Sequence, residues 1–350
     1  MNYSGLNAKI KAMRGALLSD GEYEALCGTG SVEAFGLSLK NRPAYREALQ
    51  NVPESEIHRE QIEQLIRLSL HEDFARIYKF ISDFRIRKFL NCYFLKSEIH
   101  IIKLLLCMVY DERDVNYTLP QLSELLGGKL NIDLTRLKNA KSVSDFIGGL
   151  AGTPFHSVLA PAYHEDMTLF QLETQLDLYY FMQLRKSKNM YLDKANRALV
   201  NHLIGAEVDM QNIVWIYRLK KFYDLPQGRI YSYLIPIHYR LSVEQMNRMV
   251  QSRTNEDLMT EVGRTAYADV FVGAADMEAA EVRAAGRLYR AAGIGHANTL
   301  AVTLGYIFSK EQEIKNLISI LEGIRYGLAP KAIIGYILPR KEERGAGAHD

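Results

Sequence analysis

The chain is 350 residues long, with 43 Lys plus Arg against 41 Asp plus Glu, a formal charge of +2, 48% hydrophobic and 24% charged residues. That near-balance argues against a strongly basic nucleic-acid surface, and the apolar content is that of an ordinary globular fold. The length leaves room for two or three domains.

At the N-terminus, Tyr3, Leu6, Ile10, Met13 and Leu17 recur three or four apart, which predicts a helix. The opening MNYSGLNAKIKAMRG has no uninterrupted apolar centre, so no secretory leader is expected and the chain is expected in the cytoplasm. Residues 31–49 read SVEAFGLSLKNRPAYREAL. Residues 57–84 then place Ile62, Leu65, Ile66, Ile77, Phe80, Ile81 and Phe84 at helical spacing. A basic cluster follows, Arg85, Arg87 and Lys88, and after it a box, Glu98-Ile-His-Ile-Ile-Lys-Leu104. The apolar run at 101–110 is too short for a bilayer span and is broken by Lys103.

Residues 142–159, SVSDFIGGLAGTPFHSVL, echo 31–49. Their GGLAGTP lacks the lysine of a phosphate loop and reads as a turn between helices. His164, Glu165 and Asp166 are adjacent, so on a helix they would point apart; they read as solvated surface rather than metal ligands. His202 and His238, lone among apolar neighbours, read as satisfied core groups. A second box, Glu207-Val-Asp-Met-Gln-Asn-Ile213, leads into Arg218, Lys220, Lys221 and Arg229, interleaved with Tyr217, Phe222 and Tyr223. That mixture of cations and rings is a candidate partner contact, a solvated helix face being the plainer alternative. Residues 254–271, TNEDLMTEVGRTAYADVF, give the third echo. The apolar run at 299–308 is again too short to span a membrane. Ser309 with Gln312 reads as a capping box opening the helix of the third box, Glu311-Gln-Glu-Ile-Lys-Asn-Leu317. The closing RKEERGAGAHD has too little apolar content to order itself.

Two independent families of echoes in the same order indicate a triplicated unit. Phe35, Phe146 and Leu258 correspond, as do Leu39, Leu150 and Val262, Tyr45, Phe155 and Tyr267, and Leu49, Leu159 and Phe271. The repeat length is that of a small domain, which predicts modules at 1–117, 118–238 and 239–340 with a flexible tail at 341–350. Helical periodicity throughout and only nine prolines predict an all-α fold. Glu98, Glu207 and Glu311 are expected in first helical turns, facing the positive end of the helix dipole. A ring of three carboxylates around a cation is the sharper alternative.

No GxxxxGK[ST], HExxH, GxSxG or dinucleotide fingerprint occurs, so no catalytic, cofactor or metal residue is assigned. Cys27, Cys92 and Cys107 form no CxxC pair and read as reduced, packed thiols. Without catalytic chemistry, contact is the business expected of linked helical domains. An unrelated helical scaffold, and an enzyme using the box carboxylates, are the competing readings.

The N-terminal Tyr3…Ala8-Lys9-Ile10-Lys11-Ala12-Met13 segment, the three echoes ending in Tyr45, Phe155 and Tyr267, the box Glu207–Ile213, and Glu311–Leu317 with Tyr326-Gly-Leu-Ala-Pro330 together resemble the C subunit of the bacterial and archaeal A/V-type rotary ATPase, counterpart of the eukaryotic V-ATPase d subunit. The resemblance extends over essentially the whole chain. It departs at His100 and Lys103 in the first box and in the missing proline before Tyr267. It implies three similar helical domains about a pseudo-three-fold axis, arranged as a funnel. It also implies a non-catalytic subunit without cofactor, peripheral on the cytoplasmic face of the membrane. Such a subunit seats the D and F central-stalk subunits, rests on the proteolipid ring and transmits torque for ATP-coupled proton or sodium transport.

Overall fold

The computed structural model describes residues 3–49, 59–113, 132–223, 225–296 and 299–337. The expected tail at 341–350 and the boundary at 117/118 lie outside these. Among the described residues there are helices and no strands, so the fold is all-α, as the periodicity predicts. The chain divides into two compact units, one of residues 1–81 with 286–350 and one of residues 82–285.

The first unit contains α1 (Ser4–Gly15), α2 (Asp20–Cys27), α3 (Val32–Lys40) and α4 (Arg59–Tyr78). The second contains α5 (Phe84–Tyr110), α6 (Val143–Gly149), α7 (Leu169–Tyr191), α8 (Lys194–Lys221), α9 (Val243–Gln251) and α10 (Asn255–Val262). The unit boundary falls inside α11 (Met277–Gly295). The first unit is completed by α12 (Ala301–Arg325) and α13 (Pro330–Tyr336).

The three echoes fold alike. Ser31, Ser142 and Thr254 sit at helix N-caps, each accepting the backbone N–H of the residue three further on, Ala34, Asp145 and Asp257, at 3.1, 3.1 and 3.0 Å. Each such cap satisfies a donor that the first turn leaves orphaned, worth about 1 kcal/mol. The short helices that follow bury Phe35 with Leu39, Phe146 with Leu150, and Leu258 with Val262. A second short turn then buries Tyr45 and Leu49, Phe155 and Leu159, or Tyr267 and Phe271. Fully burying one such side chain contributes roughly 1.5–3 kcal/mol.

Each echo packs on a long helix. In the second unit α6 lies on α5 and α10 on α8; in the first unit α3 lies on α12. The long helix is therefore never the box helix downstream in the same sequence repeat. Residues 142–159 dock on the helix of the first box and 254–271 on that of the second. Residues 31–49, from the start of the chain, dock on the helix of the third.

Candidate functional site

All three boxes lie deep inside long helices, not at their starts, which corrects the expectation for Glu98, Glu207 and Glu311. Ser309 likewise does not cap; its hydroxyl donates to the Gly305 carbonyl four residues earlier, at 2.8 Å, within continuous helix. The apolar stripe simply runs on through each box, so the helix has no reason to begin there.

Burial also resets the register of the boxes. On α5 the buried positions include Glu98, Ile99, Ile101, Ile102, Leu105, Leu106 and Val109. On α12 the same spacing buries Glu313, Ile314, Asn316, Leu317, Ile320, Leu321 and Ile324. Glu98 thus matches Glu313, and with it Asp209, rather than Glu311 and Glu207, which are only half-buried. One buried acid recurs three times.

Two of these acids clasp the docked echo. Asp209 accepts the Tyr267 hydroxyl at 2.7 Å, and the backbone N–H groups of Tyr239, Arg240 and Leu241 at 3.1, 2.6 and 2.9 Å. Glu313 accepts the Tyr45 hydroxyl at 2.6 Å, the Leu18 backbone N–H at 2.6 Å and the Lys310 ammonium at 2.9 Å. Lys310 is itself wholly buried, donates to the Tyr45 hydroxyl at 2.8 Å and lies 4.0 Å from the centre of its ring. A further buried pair joins Tyr306 to Asp73. Desolvation first, and the carboxylate next, push Tyr45, Tyr267 and Tyr306 well above the ordinary phenol range.

The joint on the first box is built differently. Its aromatic is Phe155, which has no hydroxyl, and it meets Tyr179 of α7 edge-on at 6.1 Å. Its departures from the box pattern also find structural reasons. His100 is exposed, Lys103 reaches Asp177 of α7 at 2.6 Å, and buried Ile101 takes the place of the paired asparagines. Asn212 bonds both backbone groups of Ile235, at 3.0 and 2.9 Å. None of this needs a ligand. Among the described residues, no group of three or more His, Cys, Asp or Glu side chains is placed to hold a metal ion.

The four predicted contact residues do not share one environment. Lys220 turns inward and donates to the carbonyls of Val250 and Ser252 at 2.8 and 2.7 Å, closing the C-terminal end of α9; desolvation lowers its pKa. Arg218 pairs with Glu278 at 2.8 Å on the surface, a contact worth about 0–1 kcal/mol. Lys221 lies over Tyr217 and Phe222, 4.9 and 5.3 Å from the ring centres. Arg229 is exposed on the short turn Gln227–Ile230. Around them Phe222 and Tyr223 are 65% and 50% exposed, and Phe170 stacks on Tyr223 at 5.6 Å. Of the four, Lys221 stands against rings, Arg218 and Arg229 are solvent-facing cations, and Lys220 is a brace. A lysine letter in an amphipathic pattern gives no sign that carbonyls wait at the end of its stem.

Of the histidines, His202 is half-buried and lies 3.1 Å from the Tyr239 hydroxyl, but His238 is exposed, contrary to the core reading. The His164–Asp166 run is exposed, as expected. Cys27, Cys92 and Cys107 are free thiols, and burial pushes Cys92 up to about 11. No helix among the described residues is long and apolar enough to cross a membrane.

The family model described as ATP synthase (C/AC39) subunit matches residues 6–336. The C subunit of the A-type ATP synthase of Methanobrevibacter smithii is 26% identical over 329 residues, covering 89% of this chain and 81% of the relative. That of Methanosphaera stadtmanae is 26% identical over 355 residues, covering 96% and 87%. That of Thermococcus kodakarensis is 23% identical over 345 residues, covering 96% and 90%.

Proposed function

The chain belongs to the ATP synthase (C/AC39) subunit family, and from that we propose a non-catalytic stalk role within an ATP-driven or ATP-making rotary complex. In this reading the chain seats the foot of the D and F shaft, rests on the membrane proteolipid ring and passes torque between them on the cytoplasmic face. Three similar modules, following the sequence repeats 1–117, 118–238 and 239–340 about a pseudo-three-fold axis, form the collar.

The observation that carries the reading is the recurrence of one mechanical joint. A pair of short helices, the first of them capped, is seated on a long helix three times, with a buried aromatic ring each time, and at two of the seats a buried acid holds the ring's hydroxyl. Close-packed helices resist shear, which a torque adaptor requires. Arg218, Lys221 and Arg229, with Phe222 and Tyr223, are the contact residues proposed for a neighbouring protein of the complex, while Lys220 braces the end of α9.

Affinity capture of the tagged chain from its native membranes is expected to bring down the D, F and proteolipid subunits. The double substitution Lys221→Glu and Arg229→Glu should reduce that recovery while the isolated chain keeps its helical signal. Capture of none of the three would overturn the stalk reading. Undiminished recovery by the variant would remove only the contact assignment.

A further inference from the structure

One end of the 82–285 unit gathers an unusual charge. Lys103 bonds Asp177, and Cys92 lies against Ser187, so α5 and α7 run antiparallel. The first turns of α5 therefore lie beside the last turns of α7, and only two residues, Leu192 and Asp193, separate α7 from α8. Segments 83–91 and 182–201 together carry Arg85, Arg87, Lys88, Arg185, Lys186, Lys188, Lys194 and Arg197, against Asp83 and Asp193 alone.

Both acids are already engaged as N-caps. Asp83 accepts the Arg85 backbone N–H at 2.8 Å and Asp193 accepts that of Asn196 at 2.8 Å. Crowding shows at Lys188, where desolvation first, then Arg185 and Arg197, lower the ammonium's pKa. Beyond those caps neither α5 nor α8 has an acid in its first turn, whereas Lys188, in the last turn of α7, sits where the helix dipole favours a cation. Among these cations, Phe84 and Met190 point outward at 64% and 60% exposure, and Lys88 lies 5.2 Å from the Phe84 ring centre.

We propose that this end of the 82–285 unit is a docking surface for the anionic headgroups of a lipid bilayer. Helix ends carrying long, flexible cations at several levels suit a field of mobile phosphates. The interspersed Phe84 and Met190 suit the boundary between headgroup and acyl chain. The inference goes beyond the stalk role, because it concerns lipid and needs no other protein of the complex.

Sedimentation of the full chain with vesicles tests it, comparing phosphatidylcholine alone with phosphatidylcholine containing phosphatidylglycerol, at low and high salt. The chain is expected to pellet with the anionic vesicles only, and to be released by salt. Arg185→Gln and Lys186→Gln should each weaken partitioning about five-fold, and Phe84→Ser should weaken it further, with circular dichroism unchanged. Arg253→Gln, exposed beside Ser252 at the opposite end of α8, should leave partitioning as it was. Equal partitioning onto neutral vesicles, or full retention by the Arg185 and Lys186 variants, overturns the proposal. So does binding of soluble polyglutamate without binding of anionic vesicles, which would mark an acidic protein as the partner.

Discussion

Glu313 gathers three donors into a buried site, and each depends on the others. Lys310 lies wholly out of water, so its charge is tolerable only beside that carboxylate. Lys310→Met is expected to cost about 3–5 kcal/mol in urea unfolding, because Glu313 is left charged and buried. Adding Glu313→Gln should recover part of that loss, and a fully additive double variant would contradict the coupling. The clasping tyrosines give a pH signature. Their folded-state pKa values are raised, so above about pH 10 an unfolded chain releases phenol protons that the folded one retains. Stability is therefore whole below that pH and falls above it, by roughly 1.4 kcal/mol per pH unit for each such tyrosine. Tyr267→Phe should flatten that alkaline decline in denaturation midpoints while lowering stability at neutral pH, since Asp209 loses a donor. Little of this was open to a sequence reading. Tyr45 and Glu313 look unrelated in a linear string, and no periodicity links residues so far apart.

Elements were more legible than their partners. The echoes were read from their apolar and aromatic letters, and those residues are buried. The caps at Ser31, Ser142 and Thr254 that open their helices went unread, although a Ser or Thr three residues before an orphan N–H is a local signal. The boxes misled because Glu98, Glu207 and Glu311 share a letter, whereas burial selects Glu98, Asp209 and Glu313. Identity of residue type and identity of environment parted company by two positions, half a helical turn. Ser309 misled for a related reason, since its hydroxyl can bond backward inside a helix as readily as it can cap one. Close approach between elements was invisible too. A Cβ at Gly323 of α12 would stand 2.7 Å from the Ile333 side chain of α13. Gly323→Ala is therefore expected to push α13 from its seat and cost about 1–3 kcal/mol, read as earlier thermal unfolding and faster amide exchange over Pro330–Tyr336.

For the whole molecule, the sequence repeats and the compact units follow different rules. The repeats count three, while compactness separates one continuous stretch, 82–285, from a unit assembled from both ends of the chain. The start of the chain seats on α12, close to the chain's other end, through Tyr45 of the echo and the preceding Leu18, both bonded to Glu313. The joint is repeated; only its connectivity is rotated along the chain, which is why linear boundaries and packing need not coincide. A chain stopped before Ala301 would lack α12 entirely. It is expected to lose protease protection over residues 3–49 while the 82–285 stretch keeps its own. Equal protection of both regions in such a truncation would show that the N-terminal helices stand without their partner.

That arrangement also sets a schedule for the ribosome. The central stretch is one continuous compact unit, but the first helices made must wait for nearly the last ones. Until then Leu6, Ile10 and Phe35 lack part of their shelter, an interval in which chaperone capture would be most useful. Slowing translation just ahead of Ala301 should lengthen it.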